Sequence, residues 1–162
     1  ANLTVTFEEA AFGTKKKIKL NDKTISVTIP EGVDNGSKIS LKGQGQPGTN
    51  GGANGNLIIE INVRPHNKFT RKGSDIYTNV PITLTQAALG TKIIVPTLRD
   101  KVSYNVPSGT QPNTLFRLKG KGIRDLKSKS TGDLYIKVLV KIPANLTAEQ
   151  RDLFEKLDKT LN

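Results

Sequence analysis

Phe7-Glu-Glu-Ala-Ala-Phe-Gly-Thr-Lys15 recurs as Leu84-Thr-Gln-Ala-Ala-Leu-Gly-Thr-Lys92. Outward from this pair, Thr28-Ile-Pro-Glu-Gly32 recurs as Asn105-Val-Pro-Ser-Gly109, Leu41-Lys-Gly-Gln-Gly45 as Leu118-Lys-Gly-Lys-Gly122, and Gly55-Asn-Leu57 as Gly132-Asp-Leu134. Gly13 to Gly90, Pro30 to Pro107, Gly43 to Gly120 and Gly55 to Gly132 each step by 77 positions. A repeat held in register over that span is two copies of one folded unit, not an array of short solenoid repeats. Each copy has about 75 residues, a size that buries about 60 % of the unfolded chain's surface and is marginal alone. Packing between the units, or dimerisation, is therefore expected to add stability.

Strict apolar/polar alternation marks half-buried strands. In the first unit Leu3, Val5 and Phe7 alternate with Thr4 and Thr6, Ile18 and Leu20 with lysines, and Ile25, Val27 and Ile29 with Ser26 and Thr28. Ile39 and Leu41 follow, then Leu57, Ile59, Ile61 and Val63. The second unit repeats the set, from Ile76, Val80 and Ile82 to Leu134, Ile136, Val138 and Val140. Short strands with turn signals at this spacing argue for a sandwich or barrel. The stretches Glu8–Phe12 and Thr85–Leu89 read as one or two helical turns, each stopped by a glycine.

Strand alternation stops at Pro65-His66-Asn67, which marks the joint. After Pro143 the period changes: Thr147-Ala-Glu-Gln150 fits a capping box, and Leu153, Phe154, Leu157 and Leu161 recur at helical spacing. The expected architecture is mainly β. Two tandem, homologous small β-sandwich or barrel domains, 1–66 and 67–144, are followed by a short C-terminal α-helix within 145–162. So short a helix is unstable alone. Its apolar stripe must pack on a partner chain or on the second unit.

The chain has no cysteine, so no disulfides or thiol chemistry, which fits a reducing compartment. No segment is apolar enough to span a bilayer, and the N-terminus shows no signal peptide. No membrane association is expected, and the cytoplasm is the expected location. Three glycosylation sequons, at Asn2, Asn35 and Asn145, are read as chance. The formal net charge is +11. It permits weak nucleic-acid binding, but the lysines fall on the polar side of many strands, where they also discourage edge-to-edge aggregation.

Gly43-Gln-Gly45-Gln-Pro-Gly48 matches the dinucleotide fingerprint, which requires a helix to start within the loop. Pro47 and the run Gly48–Gly55 forbid one, so these glycines are read as a turn and a long hairpin loop. His66 is the single histidine and lacks the companions a metal site needs. Glu8 and Glu9, adjacent on a helix, point different ways, so they complement the helix dipole rather than form a catalytic pair. No coherent acid, base or nucleophile set emerges. Neither an enzyme nor a cofactor or metal is expected.

The run from Phe7 to Thr14, then Ile29-Pro-Glu-Gly-Val33 and Leu41–Gly45, resembles the first C-terminal domain of DnaJ-type co-chaperones. Ala87–Thr91, Val95-Pro-Thr-Leu98, Leu118–Gly122 and Thr131-Gly-Asp-Leu134 resemble the second. The resemblance covers essentially the whole chain. No His-Pro-Asp tripeptide and no Gly/Phe-rich linker occur, so a fragment without the J-domain is expected. Only Asn21-Asp-Lys-Thr24 joins the strands between which zinc-binding members carry a Cys-rich insertion. This fits the zinc-free class, or a zinc-bearing member lacking that module.

The resemblance implies a fragment that binds non-native polypeptide by strand addition in an apolar groove and presents it to a DnaK-type chaperone. The groove would be lined by Leu3, Val5, Ile18, Leu20 and Ile59. Read from alternation alone, the same five positions belong to the core. By resemblance, Lys16 and Lys19 meet the acidic tail of the partner chaperone, and Leu153, Phe154, Leu157 and Leu161 join two protomers into a homodimer. Two solvated strand lysines are the plainer reading of Lys16 and Lys19. The alternative function is that of a basic DNA-binding protein, since one zinc-free branch of this family binds curved DNA.

Overall fold

The computed structural model describes residues 1–49 and 51–161. Asn50, within the glycine-rich run, and Asn162, the last position of the expected helical segment, lie outside the described residues. The first unit contains β1 (Asn2–Val5), α1 (Phe7–Phe12), β2 (Thr14–Leu20), β3 (Lys23–Ile29), β4 (Lys38–Leu41) and β5 (Leu57–Val63). The second contains β6 (Thr70–Lys72), β7 (Asp75–Thr83), α2 (Leu84–Leu89), β8 (Thr91–Pro96), β9 (Lys101–Val106), β10 (Leu115–Leu118) and β11 (Leu134–Lys141). The chain closes with α3 (Ala148–Asp158).

Each unit packs a sheet against a hairpin. In the first, the sheet β1-β5-β4 faces the β2-β3 pair. Val5, Ile59 and Ile61 from the sheet meet Val27 and Ile29 from the hairpin in a core completed by Ala10 and Val33. The second unit repeats the plan with β10-β11-β7-β6 and β8-β9. In both, the opening strand runs parallel to the last one: β1 pairs with β5 from Asn2↔Glu60 to Val5↔Val63, and β7 pairs with β11. The alternation thus marks half-buried strands, and the fold is mainly β with a short C-terminal helix, as expected.

The local turns follow from residue chemistry. All three helices begin with a threonine capping box, at Thr6/Glu9, Thr83/Gln86 and Thr147/Gln150. The first box corrects one strand assignment. Phe7 is not the end of β1 but the first residue of α1, because Thr6 accepts from the Glu9 amide and ends the strand. β2 and β3 are joined by Asn21 and Asp22 alone, both at positive φ, a turn type that Asn and Asp tolerate. Gly43 turns the chain at φ +74°, and the Gly45 N–H donates to Gly55 O at 2.8 Å. A Cβ on Gly45 would stand 2.5 Å from Asn56 O. The glycines of this motif therefore shape a hairpin loop, not a phosphate cradle.

The two cores interlock. Phe7 and Ala11 of α1 are buried with Phe69, Ile76, Val95, Ile123, Leu134 and Ile136 of the second unit. Reciprocally, Leu126 packs on the first unit's core. Arg71 donates to Gly32 O at 2.9 Å and also to Val33 O, which fastens β6 to the β3–β4 loop. Burial holds its guanidinium below the usual arginine range, opposed by the charge of Asp34 at 3.6 Å. The strand that carries it, β6, was not legible as alternation, having one apolar-free turn of three residues, Thr70-Arg-Lys72.

Candidate functional site: open strand edges and an unpacked helix face

β1 pairs with β5 on one side and has no strand on the other among the described residues. Glu60 N–H donates to Ala1 O and Arg64 N–H to Val5 O, so odd positions of β1 face β5. The amide and carbonyl of Thr4 face the open side, where its carbonyl accepts from Lys16 Nζ at 3.4 Å. β2 is open in the same way: Leu20 and Lys23 close the turn, so the backbones of Lys15, Lys17 and Lys19 face away from β3. The Lys16 contact sets these two open edges beside each other.

The five expected groove positions divide. Val5 and Ile59 are each 1 % exposed and belong to the core, as alternation read alone has it. They offer no surface to a ligand. Leu3, Ile18 and Leu20 are half-buried along the two open edges, and Leu3 and Ile18 pack on the core beneath.

The two lysines also differ. Lys19 is exposed. Lys16 pairs with Glu9 Oε1 at 3.1 Å. Glu9 in turn accepts the Thr6 N–H at 2.9 Å. That backbone hydrogen bond, with the Lys16 ammonium beside it, holds the Glu9 carboxyl below the usual carboxylate range against partial desolvation. Glu8 points elsewhere, to His66 Nε2 at 2.7 Å. The His66 Nδ1 accepts from the Lys68 amide at 2.9 Å. His66 and both glutamates are thereby fully occupied in holding α1 and the joint.

A second apolar surface lies at the C-terminus. None of the residues of α3 is buried, and Leu153, Leu157 and Leu161 are 57 %, 50 % and 64 % exposed. Phe154 is half-buried. Two shallow grooves of about 440 and 520 Å³ flank the helix, walled by Phe154 and Leu157 together with Leu84 and Pro143. Packing on the second unit, one of the two expected fates of the stripe, leaves most of it in solvent. Ile142, 70 % exposed, extends this surface; the break in alternation at Pro143 was the available signal for it.

All three tyrosines pair with another ring. Tyr77 stacks on Tyr135 at 5.0 Å, and Tyr104 tilts against Phe116 at 5.1 Å. Base-stacking platforms require unpaired exposed rings. No helix among the described residues is long and apolar enough to cross a membrane.

A family model, the DnaJ C terminal domain, matches residues 1–143. Among curated proteins, the chaperone protein DnaJ of Burkholderia pseudomallei (strain 1710b) is 49 % identical over 139 residues, 86 % of this chain and 37 % of the relative. The chaperone protein DnaJ of Burkholderia mallei (strain SAVP1) matches to the same extent. The chain thus spans little more than a third of the length of these relatives. With its twofold motif series, its paired sheets and hairpins and its matched residues, the chain belongs to the DnaJ C terminal domain family.

Proposed function

We propose that the chain is the client-binding part of a DnaJ-type co-chaperone. It would take an extended, non-native polypeptide as an added strand in the first unit and present it to a DnaK-type chaperone. The observation that carries this reading is the pair of unpartnered edges of β1 and β2, with the half-exposed side chains of Leu3, Ile18 and Leu20 beside them. A chaperone must read what unfolded chains share. Strand addition reads the backbone, and an apolar trough reads occasional large side chains. Val5 and Ile59 support the trough from below. Residues 1–66 form the client domain, 67–144 a second domain, and 145–162 the dimerisation segment.

Each client side chain buried in the trough contributes about 1.5–3 kcal/mol. Ordering a disordered client opposes this, so a single site is weak and releases readily. Pairing two protomers through Leu153, Phe154, Leu157 and Leu161 links two such sites and raises avidity without new contacts. The partner chaperone's acidic tail meets Lys19 directly. It reaches Lys16 by displacing Glu9, and a client that bonds to Thr4 O releases the same lysine.

The test is suppression of aggregation of an unfolded model protein by the chain and by Ile18→Ser/Leu20→Ser. The double variant, folded by circular dichroism, is expected to lose most of the protection. Undiminished protection by a folded variant would remove the groove assignment.

A further inference from the structure

Because the repeat is in register, each rim residue of the first unit has a counterpart in the second, and two counterparts are prolines. Thr4 of β1 corresponds to Pro81 of β7, and Lys19 of β2 to Pro96 of β8. The hydrogen bonds place both at outward positions, Pro96 on the open edge of β8 and Pro81 on the stretch of β7 beyond β6, which pairs only with Asp75–Tyr77. Ile76 N–H donates to Asp133 O, so even positions of β7 face β11 and the Pro81 nitrogen faces outward. Thr97 N–H donates to Asp100 O at 2.7 Å, closing the β8–β9 turn and turning the Pro96 backbone away from β9. Pro81 and Pro96 line one cleft of about 400 Å³, with Val80, Asn79 and Ile94.

The second unit therefore holds a cleft homologous to the proposed client site. Its side chains differ: Val80, Val95 and Thr97 stand where the first unit has Leu3, Ile18 and Leu20, and Ile94, 62 % exposed, stands where it has Lys17. Its edges are deficient. A strand added at a free edge takes its hydrogen bonds from alternate backbone amides. Proline supplies none, and its ring fills the space the added carbonyl needs. On β7 this leaves Asn79 as the outward donor, because Tyr77 already pairs with Thr70 of β6 and the Thr83 N–H is held by Gln86 Oε1 at 2.9 Å. On β1 both Asn2 and Thr4 carry a donor. Neither proline breaks a native ladder bond, because each sits at an outward position.

We infer that Pro81 and Pro96 deny strand addition to the second unit, so that one of two homologous clefts accepts an extended polypeptide. The inference rests on the client-binding reading of the first unit and names the residues that confine it there. The second unit then acts as the arm between the client site and α3.

The experiment is hydrogen exchange on the full chain, with and without a synthetic extended peptide of alternating leucine and polar residues, together with the binding stoichiometry. Wild type is expected to bind one peptide per chain and to gain protection in β1 and β2 alone. Pro81→Thr/Pro96→Lys, which installs the first unit's residues, is expected to bind two and to gain protection in β7 and β8. Thr4→Pro/Lys19→Pro, folded by circular dichroism, is expected to bind about tenfold more weakly, from two lost backbone hydrogen bonds. Protection of β7 or β8 in wild type would overturn the inference and leave the client-binding reading standing. So would a folded Pro81→Thr/Pro96→Lys variant that gains no second site. No binding by any of the three chains would overturn the client-binding reading and this inference with it.

Discussion

Phe7 of the first unit stacks on Phe69 of the second, ring centroids 6.4 Å apart and planes inclined by 25°. His66 closes the cluster, its ring 5.4 Å from Phe7 and 4.8 Å from Phe69. The chain segment that joins the units is thus also the place where their cores interlock. Two units too small to be robust alone are joined through Phe7 and Ala11, which are buried in the second unit's core.

Phe7→Ala is expected to destabilise the whole chain by about 3–5 kcal/mol, the usual cost of emptying a buried aromatic site. At this chain length that lowers the melting temperature by roughly 6–20 °C. Because the cavity opens between the cores, scanning calorimetry should show both units shifting. A shift confined to one of two resolved transitions would mean that the cores are energetically separate.

Gly32 and Gly36 both have positive φ, +92° and +87°. A Cβ on Gly32 would stand 2.2 Å from the Arg124 carbonyl of the other unit, whereas one on Gly36 meets open space. Both alanine variants carry the left-handed backbone penalty of about 1 kcal/mol. Gly32→Ala also forces the units apart and should cost at least about 2 kcal/mol more, in the range typical of overpacking. Urea denaturation midpoints measure the difference. Equal losses would show that the contact yields freely.

Glu9 gives a pH signature. Its folded pKa lies below the ordinary value of 4.5. Its stabilising contribution is therefore fully present above the unfolded pKa and is lost as pH falls through the folded one. Glu9→Gln should lower the melting temperature at pH 7 and leave it unchanged, relative to wild type, near pH 2. A penalty that stays constant across that interval would assign the effect to packing rather than charge.

Leu153→Ser/Leu157→Ser keeps the Thr147 capping box and the Asp152–Lys156 pair at 3.1 Å, so the helix itself should survive. It removes the two leucines that stand free on the helix face. Light scattering at tens of micromolar should give twice the chain mass for wild type and the single-chain mass for the variant. A variant that remains dimeric would move the protomer interface elsewhere.

Much of the architecture was legible because alternation has a period of two and burial follows it. Ile25, Val27 and Ile29 were read as one face of a strand, and Val27 and Ile29 are buried at 0 % and 1 %. The capping box at Thr147 was read directly. Those at Thr6 and Thr83 carry the same threonine-x-x-acid-or-amide signal and were passed over within apparent strands. β6 escaped because Thr70-Arg-Lys72 has no apolar residue: it is held by the edge of β7 and by Arg71.

The candidate site was less legible. Alternation places Leu3, Val5, Ile18, Leu20 and Ile59 on inward faces but does not say how deep each face lies. Depth depends on which strands oppose one another. Val27 and Ile29 of the facing hairpin seal Val5 and Ile59, while the unpartnered sides of β1 and β2 leave Leu3, Ile18 and Leu20 half open.

Duplication, every strand but β6 and the terminal helix were written in the order of residues, because local periodicity and turn chemistry act over a few positions of chain. Strand order, the interlocking of two cores at Phe7 and Phe69, and the outward aim of the Thr4, Lys19, Pro81 and Pro96 backbones emerged only with folding. They depend on contacts between segments tens of residues apart, whose pairing is set by the whole pattern of hydrogen bonds and burial at once.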